Sequence, residues 1–179
     1  LEPLGKEYVA LLKEGMDPAN GWIDVYPNED KRSGAYSNGG LAKDLHPYVL
    51  HNFDNSLDAV STTAHEFGHA LHSVYSRKNQ PDVYGDYTIF LAEIASTCNE
   101  ALLVNYLMEK ADDIDVKLML LNQRLESIRL TIFRQTMFAE FELRFHEHAE
   151  AGNPLTAEFL NSLYKELITD YYGPDFSLG

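Results

Sequence analysis

The sequence His65-Glu66-Phe67-Gly68-His69 is an H-E-x-x-H pattern within a long stretch that contains no proline. Residues four apart lie on one face of an α-helix, so His65 and His69 would direct two imidazole rings towards one metal ion. Glu66 is rotated by about 100° from His65, which lets its carboxylate reach a water molecule at the open coordination position. The pattern therefore predicts a zinc-dependent hydrolytic centre in which Glu66 is the general base.

A catalytic zinc ion needs a third protein ligand. The next predicted helix offers Glu93 and Glu100, seven residues apart on one face of an otherwise apolar stretch. A carboxylate in such surroundings is costly unless a metal ion or a cation pairs with it. We predict that Glu93 is the third ligand and that Glu100 supports the site. The alternative for both acids is an ion pair with an arginine of the following helix. The arginines available for that alternative are Arg124, Arg129 and Arg134.

Other residue types that could act in chemistry give weaker signals. His72 follows His65 by seven residues and shares its helix face, so it either supports a ligand or packs as an ordinary histidine. Cys98 has apolar neighbours and is predicted to be a small core residue rather than a nucleophile. Ala35 and Tyr36 belong to a predicted strand whose edge could bind an extended peptide, with ordinary sheet packing as the alternative.

The elements that must position these residues are mostly helices. Hydrophobic spacing and turn residues predict helices over 1–15, 57–78, 87–110, 114–150 and 156–171, with Thr156 as a cap. Short aromatic and β-branched segments predict strands over 22–26, 33–37 and 47–53, with turns at 27–30 and 38–40. The predicted fold is mainly α with a small β-sheet, in which the zinc motif lies on one long helix and the third ligand on the next.

The composition limits the class of protein. With 179 residues, 45% of them hydrophobic and 23% charged, the chain is expected to form a single soluble globular domain over 1–179. A net charge of −14 disfavours nucleic acids and anionic membranes as partners. Glu93 and Glu100 lie within the most apolar long stretch of the sequence, residues 88–108, which argues against a membrane-spanning helix there. Since Cys98 is the only cysteine, a reducing cytoplasmic location is expected. The helix over 114–150 is apolar around much of its circumference, which predicts burial within a larger protein.

Two stretches of the sequence resemble one known family. The run from His65 to His72 and the run from Ala92 to Glu100 are similar to the thimet-oligopeptidase family of zinc metallopeptidases, and most similar to its bacterial oligoendopeptidase F group. The resemblance extends to Gly85-Asp86-Tyr87 and to residues 133–140. It implies one zinc ion held by His65, His69 and Glu93, with Glu66 as general base, in a zincin-like helical fold with a deep channel. It also implies hydrolysis of peptide bonds in oligopeptides.

The chain departs from this family in length. Members are several hundred residues longer, and their transition-state-stabilising histidine and tyrosine residues follow the position equivalent to Gly179. The resemblance therefore implies that the remaining portions of a longer peptidase are partners of this chain, and that the chain alone is a poor enzyme. Two alternatives stay open, namely a zinc exopeptidase and a metal-free binding module that retains the motif.

Overall fold

The computed structural model describes residues 1–39 and 45–176, which belong to two compact units, Leu1–Lys110 and Ala111–Gly179. The first unit contains the H-E-x-x-H motif. Its helices are α1 (Lys6–Met16), α2 (Leu57–Asn79) and α3 (Ile89–Lys110), and its strands are β1 (Ile23–Asp24), β2 (Tyr36–Asn38) and β3 (Tyr48–Leu50). Short 3-10 turns cover Glu2–Leu4, Pro18–Asn20 and Asp82–Tyr84.

Helix α2 carries the motif, and residues at both of its ends stabilise it. The Ser56 side chain accepts a hydrogen bond from the Ala59 N–H at 3.0 Å, which satisfies one of the free donors of the first turn. Arg77 and Lys78 stand in the last turn, where cations interact favourably with the helix dipole. The helix ends just before Pro81, as the sequence predicts.

Helices α2 and α3 pack antiparallel. At one end, the Asn99 side chain donates to the Ala64 carbonyl at 3.0 Å. At the other end, the hydroxyls of Ser73 and Tyr87 lie 2.8 Å apart. Residue numbers therefore increase along α2 in the direction in which they decrease along α3 and the segment before it. This arrangement brings the middle of α3, including Glu93, beside the middle of α2.

The three strands form one sheet in the order β1-β3-β2, with β1 parallel and β2 antiparallel to β3. The sheet and α1 pack against α2. The buried cluster between them consists of Trp22, Val49, Phe67, Ala70 and Leu71. Spacings of three and four residues in α2 place its three members of this cluster on one side of the helix.

The second unit consists of helices packed around its own core. It contains α4 (Ile114–Ile128), a π-helical segment (Arg129–Phe133), α5 (Arg134–Glu150) and α6 (Ala157–Tyr172). Thr156 caps α6 by accepting from the Phe159 N–H at 3.2 Å, as predicted. The core comprises Met137, Leu163, Leu167 and Ile168. Apolar side chains of α4 such as Leu118 and Leu125 are more than half exposed in this chain, and the prediction that a larger protein buries them stays a prediction.

The predicted fold class, mainly α with a small sheet, is confirmed. The strands are shorter than the predicted segments, since only two or three residues of each pair with a neighbour. The helix predicted over 114–150 is helical throughout, but its middle turn is a π-helix. Gly40, the last residue of the turn predicted at 38–40, lies outside the described residues.

Among the residues described, none of the helices combines the length and apolarity needed to cross a membrane. The assignment of 1–179 to a single domain stays a prediction.

Candidate metal centre

His65 and His69 project from the same face of α2, one turn apart. Their Nε2 atoms lie 3.1 Å from each other, and the two rings are nearly perpendicular, with an interplanar angle of 82°. Both rings are partly covered, with 26% and 17% of the side-chain surface exposed. Two imidazole nitrogens thus converge on one point at the surface of the helix.

Helix α3 brings Glu93 to the same point. Its Oε2 atom lies 3.4 Å from His65 Nε2 and 3.5 Å from His69 Nε2. The Ser96 hydroxyl, one turn further along α3, donates to the same carboxylate oxygen at 2.8 Å. This hydrogen bond restrains a side chain that is otherwise half exposed.

The three atoms fit a zinc ion. Two ligand atoms that each lie about 2.0–2.1 Å from a tetrahedral zinc ion are about 3.3–3.4 Å from each other. The distances of 3.1, 3.4 and 3.5 Å between the His65, His69 and Glu93 atoms are close to that separation. Two imidazoles and one carboxylate are also a ligand set typical of catalytic zinc. Among the described residues, these three form the group of histidine, cysteine and acidic side chains that could hold a metal ion.

Glu66 lies beside this group but belongs to a different face of α2. The residue is only 7% exposed, and burial raises the pKa of its carboxyl, an effect that the neighbouring His65 partly offsets. A carboxylate with a raised pKa is a stronger proton acceptor than one in water. The position and the environment of Glu66 are therefore suited to general-base chemistry.

Glu100 approaches the other nitrogen of the first histidine. Its Oε1 atom lies 3.5 Å from His65 Nδ1, and this interaction raises the pKa of the His65 imidazole. By contrast, burial lowers the pKa of His69. Arg129, one of the arginines considered as partners of these acids, donates to Glu126 at 2.6 Å. Glu100 is thus placed where it can orient the imidazole of His65.

Comparison with known proteins identifies the family. The model of peptidase family M3 matches residues 6–178. This chain belongs to peptidase family M3. The resemblance seen in the sequence is thereby confirmed.

The relatives of this M3 chain are bacterial oligopeptidases by name. It is 51% identical over 173 residues to oligopeptidase PepF of Bacillus subtilis (strain 168), and 50% identical over 169 residues to the chromosomal oligoendopeptidase F of Lactococcus lactis subsp. cremoris. These matches cover 97% and 94% of this chain but only 25% and 27% of the relatives. The chain therefore spans about a quarter of the length of the curated relatives it matches.

Solved structures agree with this assignment. A crystal structure of an inferred peptidase from Chlamydophila abortus is 48% identical and superimposes with a TM-score of 0.82, covering all of this chain and 30% of that one. An inferred oligoendopeptidase F from Bacillus anthracis str. Ames is 17% identical with a TM-score of 0.68, covering 94% of this chain and 32% of that one. At such low identity, the second match shows the shared fold alone.

His72 and Cys98 of this M3 chain lie apart from the ligand group. The His72 ring stacks on Tyr87 at a centroid distance of 3.8 Å, and its buried Nδ1 has no hydrogen-bond partner among the described residues. Cys98 is exposed, so its prediction as a core residue is wrong. The reason is helical rotation, since the α3 residues that face α2 are Ser96 and Asn99, and Cys98 turns away from both.

Strand β2 is one of the two outer strands of the sheet, and no described strand pairs with its other side. The N–H groups of Val49 and His51 donate to the carbonyls of Trp22 and Asp24 on the β1 side, so the alternate residues Tyr48 and Leu50 direct their main-chain groups towards β2. Their partners in β2, Asn38 and Tyr36, turn towards β3. The N–H and C=O of Ser37 between them therefore face the open edge.

This result refines the sequence analysis, which selected Ala35 and Tyr36 as the residues that could meet a peptide. The main-chain groups of Tyr36 are directed into the sheet, although its side chain is 56% exposed. Sequence reasoning could not select Ser37, because the direction of a main-chain group depends on the register with β3. It also gave no role to Ser73 or to the segment Gly85-Asp86-Tyr87, for which the resemblance to the family was the only signal.

Proposed function

We propose that this chain carries the zinc centre of a metalloendopeptidase that hydrolyses peptide bonds in oligopeptides, as part of the catalytic domain of a longer peptidase. The observation that carries the proposal is the triangle of ligand atoms from His65, His69 and Glu93, whose sides match those of a tetrahedral zinc site. Membership of peptidase family M3 and the names of the relatives support the same reaction.

Each residue near the triangle has a distinct role in this proposal. His65, His69 and Glu93 would hold the ion. When bound there, zinc would polarise the peptide carbonyl and lower the pKa of a water molecule. Glu66 accepts the proton of the attacking water and then donates it to the leaving amine. Two neutral imidazoles and one carboxylate keep the charge of the loaded site positive, which favours attack on the carbonyl.

Glu100 supports the centre through His65. A carboxylate at Nδ1 keeps the proton on that nitrogen, which leaves the Nε2 lone pair free for the metal ion. It also restricts rotation of the ring. His72 makes no contact with the ligand atoms in the described geometry, so any support from it would act through Tyr87.

The open edge of β2 provides a place for the substrate. An extended peptide can add to such an edge through main-chain hydrogen bonds, here to Ser37, with Ala35 and Tyr36 directly before it in the chain. Ser37 and His69 line the same cavity of about 360 Å³, so a peptide on this edge would pass close to the metal ligands. Binding through the main chain tolerates different side chains, which is what a peptidase for varied oligopeptides requires.

The metal content of the purified chain tests the proposal. We expect one zinc ion per chain by elemental analysis, and loss of that zinc in His69→Ala. A chain that purifies without zinc and does not bind added zinc would instead favour the metal-free binding module. In the longer peptidase, peptides with both termini blocked separate the enzyme alternatives, since an endopeptidase cleaves them and an exopeptidase does not. The cytoplasmic location stays a prediction.

A further inference from the structure

Three residues between α2 and α3, Gly85, Asp86 and Tyr87, are tied to the last two turns of α2, and we refer to them as the clasp. The Ser76 hydroxyl donates to the Gly85 carbonyl at 2.7 Å. The buried Arg77 guanidinium donates to Asp86 Oδ1 at 2.5 Å. The segment that leads into α3 is thus held against α2 by side chains of α2 itself.

Tyr87 is the member of the clasp nearest to the proposed metal ligands. Its hydroxyl lies 2.8 Å from the Ser73 hydroxyl and donates a longer hydrogen bond of 3.4 Å to the main-chain carbonyl of His69. Its ring lies almost parallel to that of His72, with an interplanar angle of 15°. Tyr87 therefore contacts the turn of α2 that begins at a metal ligand.

A second fixed point lies on the other side of Glu93. Gly68 allows α3 to approach so closely that an ideal Cβ on it would lie 2.5 Å from the Cα of Ser96. One turn later, Asn99 is completely buried and donates to the Ala64 carbonyl. Glu93 lies in the second turn of α3, six residues after Tyr87 in the segment before the helix and three before Ser96, so it stands between the two fixed points.

Glu93 needs such external positioning because burial does not hold it. Its side chain is 52% exposed, and the only partner besides the two histidines that the described residues give its carboxylate is Ser96. Metal sites tolerate errors of only about 0.2 Å in ligand distance. A small shift or rotation at the start of α3 would move the carboxylate by more than that.

We propose that Tyr87 is a positioning residue of the metal centre: by closing the clasp on α2 it fixes the start of α3, so that Glu93 meets His65 and His69. This proposal rests on the proposed zinc site. The ring stacks on His72, and the hydroxyl contacts Ser73 and the His69 carbonyl, which sets the position of the ring along α2. The hydroxyl and the ring can be removed separately, which makes the two contributions measurable.

The test is the zinc affinity of the purified chain, measured by competition with a chromophoric chelator. We expect Tyr87→Ala to weaken zinc binding about 10- to 100-fold, the range found for residues that support metal ligands from outside. Tyr87→Phe keeps the stacked ring and should lose less. Tyr84→Ala is the matched control, because Tyr84 belongs to the same connection but is 69% exposed, and it should bind zinc as the unmodified chain does.

A double-mutant cycle separates positioning from a general loss of stability. If Tyr87 acts through Glu93, Tyr87→Ala should cost much less zinc affinity in a Glu93→Gln background than alone. The spectrum of bound Co²⁺ should also change in Tyr87→Ala and not in Tyr84→Ala. Equal losses in both backgrounds, or unchanged affinity of folded Tyr87→Ala, would overturn the proposal.

Two further results keep this test decisive. Should Tyr87→Ala fail to fold, Tyr87→Phe and Asp86→Asn are compared instead, and both must weaken zinc binding relative to Tyr84→Ala for the proposal to stand. Should the unmodified chain bind no zinc, the proposed metal centre itself is overturned, and the role of Tyr87 with it. Normal zinc binding by every clasp variant overturns only the role of Tyr87.

Discussion

Gly68 of α2 lies directly against Ser96 of α3. A Cβ atom added to Gly68 would lie 2.5 Å from the Ser96 Cα and 2.8 Å from the Ala95 carbonyl oxygen, so no larger residue fits without moving one helix. Ser96 also donates to Glu93, the proposed third ligand. The spacing of the two helices and the position of a metal ligand therefore depend on the same contact.

Replacing Gly68 with alanine should therefore separate α2 from α3. We expect Gly68→Ala to lower the free energy of unfolding, since overpacking typically costs about 1–3 kcal/mol and the better helix propensity of alanine returns at most about 1 kcal/mol. Zinc affinity should fall as well. Urea unfolding and chelator competition measure the two effects. Val60→Ala, on an exposed part of α2, is the control and should change stability by no more than about 0.5 kcal/mol.

Removing the carboxylate charge from each of two acids should distinguish a ligand from a supporting residue. We expect Glu93→Gln to lower zinc affinity sharply, because it removes a ligand, and Glu100→Gln to lower it less, because Glu100 contacts the far side of His65. Chelator competition gives both dissociation constants. Equal losses, or unchanged affinity in Glu93→Gln, would contradict the ligand assignment.

In the longer peptidase, Glu66→Gln should retain its zinc and lose most activity. A neutral amide cannot accept the proton of the attacking water, and the loss of a general base typically costs about 10²- to 10⁴-fold in rate. Turnover of an internally quenched peptide and elemental analysis should be performed on the same preparation. Loss of the zinc from this variant would show that Glu66 is a ligand.

The 179-residue chain alone should be a poor peptidase even when loaded with zinc. The resemblance to the family puts the groups that stabilise the transition state after Gly179, and loss of one such donor typically costs about 10²- to 10³-fold in rate. Without the remaining portions of the channel that the resemblance implies, the substrate is also positioned less well. The measurement is kcat/KM for a quenched peptide beside that of the longer enzyme. Comparable values would show that these groups lie within the chain.

The stability of the metal-free chain should depend on the protonation of His72. Burial lowers the pKa of His72 in the folded state, whereas its unfolded value is about 6.5. The unfolded state therefore binds the proton more readily. The contribution of neutral His72 to the free energy of unfolding is complete above about pH 6.5 and is lost as the pH falls from there to the folded pKa. In His72→Phe, which keeps a ring against Tyr87, that loss should be absent. Urea unfolding between about pH 7.5 and 5 measures the difference, and a difference that is independent of pH would contradict the prediction.

The sequence by itself determined the features that depend on neighbours along the chain. The four-residue spacing puts His65 and His69 on one helix face, and Thr156 caps the helix that follows it. Helical periodicity and caps are local properties, so they can be read from one sequence. The same reasoning identified Glu93 and Glu100 as unusual acids in an apolar helix, but not which atom of the site each one approaches.

The tertiary structure alone decided how the elements meet. It placed Glu93 at the Nε2 atoms of both histidines and Glu100 at Nδ1 of His65, and it left Cys98 exposed. It also turned the main chain of Ser37 towards the open edge of the sheet. These outcomes depend on the rotation of α3 against α2 and on the register of β2 with β3. Packing between distant segments fixes both quantities, and residue spacing within a single helix or strand carries no information about either.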